Sequence, residues 1–370
     1  MKTTRMAEID TVALQVVVSV LVVLSVLFVL LIGYTSVNRL ILQRREDKFA
    51  FSESYIQPLI YEYLYYEITK EDFVNRLRNI YDIIAAYRFL NIMIDNMKGT
   101  EHERLKELLD VDRFKKFFLK NLKSKSPVDL AQACMYFAQK KVTDDKALSR
   151  LEPLQQHSYA VIVYAATFAL INAKGQDKRD QALRVFLNRK DNASMAVTDL
   201  VFKYVNKHPS REQAAEMLFE LAANPYVPVQ TSVSLILMFP ELGFYQLADP
   251  LFEEFRKKNR TDYNGMYTAA LIQVLGEFMH PEVGDYILKE KYWKSTFQQI
   301  RLAVSNWLKE NYNEKYQPIL KHLLADDDLT VRFTVMQVAF EYDIADEMMT
   351  YVKEENRSEW DEIKRLRSLE

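Results

Sequence analysis

Apolar positions follow two different patterns along the chain. Residues 12–32 form an almost unbroken apolar run, interrupted only by Gln15, Ser19 and Ser25, and no charged residue lies between Thr11 and Asn38. As a helix, a stretch of that length spans about 31 Å, against about 30 Å for the hydrocarbon core of a bilayer. A cleaved leader is the rival reading. The run exceeds the usual leader length, and the sequence YTSVNRLILQRR after Gly33 offers no small-x-small cleavage site. The pattern therefore predicts an uncleaved spanning helix over residues 12–34, with Val12, Val16, Leu21, Leu24, Phe28, Leu31 and Ile32 facing lipid.

Farther on, apolar residues recur every three or four positions, as amphipathic helices require. The segment SYIQPLIYEYLYY (54–66) reads as a capping helix with Pro58 in its first turn. Glu71 to Met97 and Glu101 to Leu122 follow as further helical stretches. A longer period then emerges. Strongly apolar helices begin near Val128, Ser158, Asn192, Val227, Asp262, Phe297 and Leu329, at intervals of 30, 34, 35, 35, 35 and 32 residues. Shorter apolar stretches lie between them, near 147–154, 179–187, 211–222, 247–255, 283–289 and 316–324. Two helices per period are the mark of a helical solenoid, in which each pair buries its apolar face only against its neighbours. The predicted order is a tail (1–11), the spanning helix (12–34), a juxtamembrane helix (35–52) and divergent capping helices (53–109). About seven two-helix units (110–345) and a final cap (346–370) complete it.

The clearest unit is residues 316–342, YQPILKHLLADDDLTVRFTVMQVAFEY. Pro318 in its first helix, Asp326 in its turn, and Val331 with Arg332 opening its second helix resemble a HEAT repeat. The resemblance implies a HEAT-like, armadillo-type α-solenoid, which with the apolar run predicts an all-α protein of one N-terminal transmembrane helix followed by the solenoid. It also implies a surface that binds protein. The armadillo and tetratricopeptide solenoids are near rivals, but the Trp, Gly-Tyr and Pro pattern of the tetratricopeptide repeat is absent.

Composition narrows the function classes. There are 49 Lys and Arg against 51 Asp and Glu, a net charge of −2, and acidic residues interleave the basic ones. Neither feature favours a nucleic-acid partner. The seven glycines are too scattered for a phosphate-binding loop, and no GxSxG or HExxH motif occurs. Cys134, the single cysteine, sits among apolar neighbours as a core thiol would. Asp326 to Asp328 read as turn and helix-start carboxylates rather than a metal cluster. The aromatic set Trp293, Trp307, Tyr286, Tyr292 and Phe297 reads as core. No catalytic, cofactor or metal site is expected.

Two surfaces are candidates for docking a partner: Tyr55, Tyr61, Tyr65 and Tyr66 on the capping helix, and Lys115, Lys116, Lys120 and Lys123 farther on. Behind the apolar run lie Arg39, Arg44, Arg45 and Lys48; ahead of it lie only Lys2 and Arg5. That bias predicts a single-pass membrane protein with its large C-terminal part on the cytoplasmic side. The expected function is a non-catalytic, membrane-anchored scaffold that organises a membrane protein or membrane-associated complex, such as a transporter or a polysaccharide-synthesising glycosyltransferase. The alternative is a regulatory or catalytic subunit that binds a small ligand in the solenoid groove.

Overall fold

The computed structural model describes residues 2–140, 142, 144–257 and 264–367; of residues 2–23, 25, 26, 42 and 45 it describes the backbone alone. The described chain is all-α, without a strand, and its only bridge pairs Val142 with Ala173. Two compact units divide at Phe118/Leu119.

The first unit begins with α1 (Lys2–Leu64), continuous over 63 residues. Its membrane-spanning expectation falls largely on side chains outside the described residues, Val12, Val16 and Leu21 among them. Leu24, Phe28, Leu31 and Ile32 are described, and all are exposed. Among the described residues no helix is long and apolar enough to cross a membrane. Pro58 does not open a separate capping helix as the sequence suggested; it lies inside α1. An interior proline costs about 3 kcal/mol. Burial of Ile56, Leu59, Ile60 and Tyr63 on the same stretch offsets that cost.

The remaining helices of this unit are α2 (Lys70–Arg76), α3 (Ile80–Asn96), α4 (Thr100–Leu109) and α5 (Asp112–Asn121), the last running across the boundary. Thr69 with Asp72, and Asn79 with Asp82, form capping boxes that start α2 and α3 and so break what reads as one apolar stretch. Likewise the stretch from Glu101 to Leu122 is two helices, separated at Asp110 and Val111. The helices α1 and α3 pack together, joined by α2 and α4, around Phe73, Ala86, Leu90, Leu105 and Leu108.

The second unit contains a regular alternation. Its helices are α6 (Pro127–Ala138), α7 (Asp145–Leu151), α8 (Ala160–Ile171), α9 (Gln176–Leu187), α10 (Ser194–Lys207), α11 (Arg211–Ala223), α12 (Val229–Met238), α13 (Ala248–Lys257), α14 (Met266–Glu277), α15 (Val283–Glu290), α16 (Gln298–Asn311), α17 (Gln317–Leu323), α18 (Leu329–Glu341), α19 (Ala345–Met348) and α20 (Arg357–Arg367). The even-numbered helices from α6 to α20 pack each against the next in one row. The odd-numbered helices α7 to α17 pack against members of that row. This repeat-like order fits an α-solenoid. One continuous apolar cluster runs through the stack, from Val163 on α8 to Ile363 on α20.

Local chemistry sets the turns. Ser126 caps α6 and Pro127 occupies its first turn; Asp144, Ser210 and Asp328 cap α7, α11 and α18. Each such side chain accepts an otherwise unpaired N–H and contributes about 1 kcal/mol. The helix α8, AVIVYAATFALI, is buried on most of its circumference, so its one polar core residue needs partners. Thr167 donates to the Val163 carbonyl and accepts from Gln155 at 3.0 Å, and Gln155 also donates to the Ala182 carbonyl. Trp293 and Trp307 are core residues.

Cys134 on α6 is fully buried, and burial pushes its thiol up to about 12. A maleimide is therefore expected to label the native chain at a small fraction of the rate for the denatured chain. Equal rates would contradict the packing of α6.

Candidate functional site

The sequence-derived surface residues fall in different places. Tyr55 is half-buried: its hydroxyl donates to the Arg76 carbonyl at 3.2 Å, and the Arg78 guanidinium lies 3.4 Å from its ring centroid. Tyr61 packs edge-on to Phe89 at 5.9 Å and remains partly exposed. Tyr66, in the turn two residues past α1, is left-handed and lies beneath Arg104, 3.5 Å from its ring centroid, while Arg104 also donates twice to the Tyr63 carbonyl. Tyr65 is 72% exposed, so of the four tyrosines it and Tyr66 present most to solvent.

Lys115 and Lys116 are exposed in the first unit, and Lys120 and Lys123 are exposed in the second. Of the basic flank, Arg39 and Arg44 are exposed, and Lys48 extends over the Tyr81 ring at 5.8 Å. The Arg45 side chain lies outside the described residues.

The repeat-signature residues form a structural network. Pro318 occupies the first turn of α17 and Val331 is fully buried. Asp326 accepts from Arg301 Nε at 2.6 Å and Nη2 at 3.1 Å, and from the Asp328 backbone N–H at 2.9 Å. Arg332 grips Glu359 in the same forked manner, at 2.9 and 2.6 Å. It also donates to the Asp326 carbonyl at 2.8 Å, as Arg301 donates to the Ser295 carbonyl at 2.9 Å. Each arginine thus ties its own preceding turn to a carboxylate of the next unit. Arg301 was missed by sequence reasoning, although it occupies the same place near the start of α16 that Arg332 occupies on α18.

Lys294, Arg301, Lys321, His322 and Lys353 line a depression beside Asp326 and Asp327. Much of that positive charge is already engaged. Arg301 is held by Asp326, Lys353 reaches Asp327 at 3.2 Å, and Lys321 reaches Glu347 at 3.6 Å. Burial, together with the nearby Lys294, holds His322 below its ordinary value, so the imidazole adds little charge. Among the described residues no group of His, Cys, Asp and Glu is arranged to hold a metal ion.

A second concave feature of this unit is a groove on the even-numbered row. Its larger section, about 560 Å³, lies along α10 and α12 and reaches Met266 on α14. Asn192, Ser194, Thr198, Gln230, Thr231 and Ser234 supply its polar lining, and Val197, Val233, Leu237 and Met238 most of its apolar lining. A smaller section, about 190 Å³, shares Val233, Leu237 and Met266 and continues over Ala269, Ala270 and Gln273 to Gln299, Leu302, Ala303 and Asn306 on α16. The hydroxyls of Ser194 and Ser234 meet at 2.8 Å across α10 and α12.

In a chain with 27% charged residues, Glu241 is the one charged residue in this lining. Nothing local in the sequence signals the groove, because its residues come from four helices roughly one repeat apart. On the neighbouring pair α8 and α10 the character changes. There Tyr164 donates to Asp199, and Lys203 donates to the Tyr164 oxygen at 2.9 Å while lying over the Phe168 ring.

No family model matches the chain, and no curated protein matches it.

Proposed function

We propose that the chain is a non-catalytic, membrane-anchored scaffold of the HEAT-repeat type. In this reading residues 12–34 span the bilayer, the part after them lies on the cytoplasmic side, and the repeat array holds a protein of a membrane complex. The observation that carries the reading is the uninterrupted row of even-numbered helices with its open groove. Stacked helix pairs bury their core between neighbours and leave long faces for a partner. The step from such a fold to protein binding is an analogy of architecture. The charge-free stretch up to Asn38 supports the anchor, as do the exposed Leu27, Phe28, Leu31, Ile32 and Val37 on α1. The excess of Lys and Arg behind the stretch supports the orientation.

Alkaline carbonate extraction tests the anchor. The full chain is expected in the membrane pellet, and a chain lacking residues 1–45 in the supernatant; full-length protein in the supernatant would end the anchor proposal. Photocrosslinking from Tyr65 and Lys116 in intact membranes, followed by purification, tests the scaffold. One stoichiometric protein partner is expected, and repeated recovery of the lone chain would refute it.

The groove volume favours a second reading, a regulatory or catalytic subunit with a small ligand. Thermal melts with nucleotides, sugar nucleotides and divalent metals separate the two, because a ligand that binds the native state raises Tm. The scaffold reading expects no rise.

A further inference from the structure

We propose that one edge of the second unit, where the even-numbered helices α6 to α12 begin, lies on the surface of an anionic bilayer, with apolar side chains in the interface and lysines at the headgroups. That the chain is held at a bilayer rests on the anchor of the scaffold reading; the character of the edge follows from its own residues. The far ends of α6, α8 and α10 meet through Asn172, which donates to the Ala138 carbonyl and accepts from Lys207. Their starts therefore share the opposite edge. Val128 stands at the start of α6, Tyr159 and Val161 at that of α8, and Met195 at that of α10; Tyr226 precedes α12, the next helix of the row. All five are exposed, Met195 by 85% and Tyr226 by 89%.

One exposed apolar side chain is ordinary, but one at the same place in four successive units makes a ridge. The other edge of these helices has none: residues 172–175, 208–210 and 239–244 hold no large exposed apolar side chain. Packed helices lie about 8–10 Å apart, so the ridge runs for about 25–30 Å. Tips one helix width apart suit a fluid interface, which closes around each of them. The core of a protein interface is instead contiguous.

Charge agrees with a lipid occupant. Lys123 and Lys125 precede α6 and Lys190 precedes α10; all three are exposed, and among the described residues none is in an ion pair. Asp191 is the one acidic residue in the turns 122–126, 157–159, 188–193 and 224–228, and Arg189 holds it at 2.8 Å. Anionic headgroups supply the countercharge that these lysines lack, about fivefold in binding for each. A tyrosine at such a surface keeps its ring among the chains and its hydroxyl among the headgroups. The cytoplasmic leaflet, which the Lys and Arg bias behind the apolar run assigns to this part of the chain, is the anionic one. An anchored chain meets that leaflet at high effective concentration, so individually weak contacts suffice.

The test places a nitrobenzoxadiazole label on Met195→Cys in the full chain, reconstituted into vesicles of phosphatidylcholine alone or with about one-third phosphatidylglycerol. Unsubstituted protein gives the background from Cys134. In the anionic vesicles, lipid-borne nitroxides are expected to quench the label about twofold or more, and in phosphatidylcholine alone hardly at all. A label on the exposed Lys174→Cys, at the other edge, should stay unquenched in both. Lys123→Glu, Lys125→Glu and Lys190→Glu combined should cut the quenching at least about fivefold. These three side chains are exposed, so the fold is kept, which circular dichroism checks. Equal quenching in the two vesicle types, or equal quenching at Lys174→Cys, would overturn the proposal. A label shielded from water but untouched by nitroxides would also overturn it, since a protein would then cover the edge. A chain that resists carbonate extraction with its Met195→Cys label unquenched would overturn the edge and leave the anchor intact. A chain released by carbonate whose label had been quenched would refute the anchor and leave the edge standing.

Discussion

Replacing Asp326 with alanine is expected to lower stability by about 3 kcal/mol, at the lower end of the range for removing one member of a buried ion pair. The Asp326 side chain is 4% exposed and that of Arg301 17%. Without the carboxylate, Arg301 keeps only the Ser295 carbonyl, and the Asp328 backbone N–H loses its acceptor. The double replacement Arg301→Met with Asp326→Leu removes both charges and is expected to cost much less. Denaturant midpoints of the two variants decide the matter, and equal losses would show that the pair itself is unimportant.

Acid dependence follows from the same contact. Burial pushes the Asp326 carboxyl up, but the hydrogen bonds from Arg301 and the Asp328 N–H, with the Arg301 charge, more than reverse this and hold it below the usual carboxylate range. Its folded value is depressed, so the stabilisation is complete above the unfolded carboxylate range and is lost as pH falls through the folded value. Asp326→Asn should flatten that part of the stability profile.

Gly265→Ala is expected to cost about 2–5 kcal/mol, as the sum of two effects. Gly265 precedes α14 with φ +73°, a left-handed conformation. A β-carbon there would also meet Ile300 Cγ1 and Phe297 Cβ at 2.8 Å each. A Cβ cannot swing aside without its backbone, so α16 would have to shift. Gly243 supplies the control: its φ is +68°, and a β-carbon there would meet only the end of Arg211, at 3.8 Å. Gly243→Ala should therefore show the conformational part alone, about 1–2 kcal/mol. If the two variants melt together, the close approach of α14 and α16 is wrong.

Much of the architecture was legible because repetition repeats the signal. Apolar residues at spacings of three and four mark the strongly buried helices of the even-numbered row, and the structure starts them within a few residues of where the pattern does, at Pro127, Ala160, Ser194, Val229, Met266, Gln298 and Leu329. Breaks were harder to read when one polar residue decided them. Asn79 with Asp82 divides α2 from α3, and Asp110 separates α4 from α5 within one apolar rhythm.

Pro58 misled for the opposite reason. A proline suggests a helix start locally, and only the packing around Ile56 and Ile60 carries α1 through it. The forked contacts of Arg301 and Arg332 could have been found by superposing the repeats, since both stand fourth in their helices. The neutral groove could not, because an uncharged face assembled from separate repeats leaves no contiguous signature.

The continuity of α1 through Leu64 carries a mechanical consequence. A helix advances about 100° per residue, so each residue of the exposed stretch 27–41 keeps a fixed angular phase to the buried side around Ile56 to Tyr63 on one shaft. One residue added between them would swing the first unit about 100° around the axis, while seven would return it to within about 20°. Whatever sets the azimuth of the apolar stretch therefore also sets the direction in which Tyr65 points.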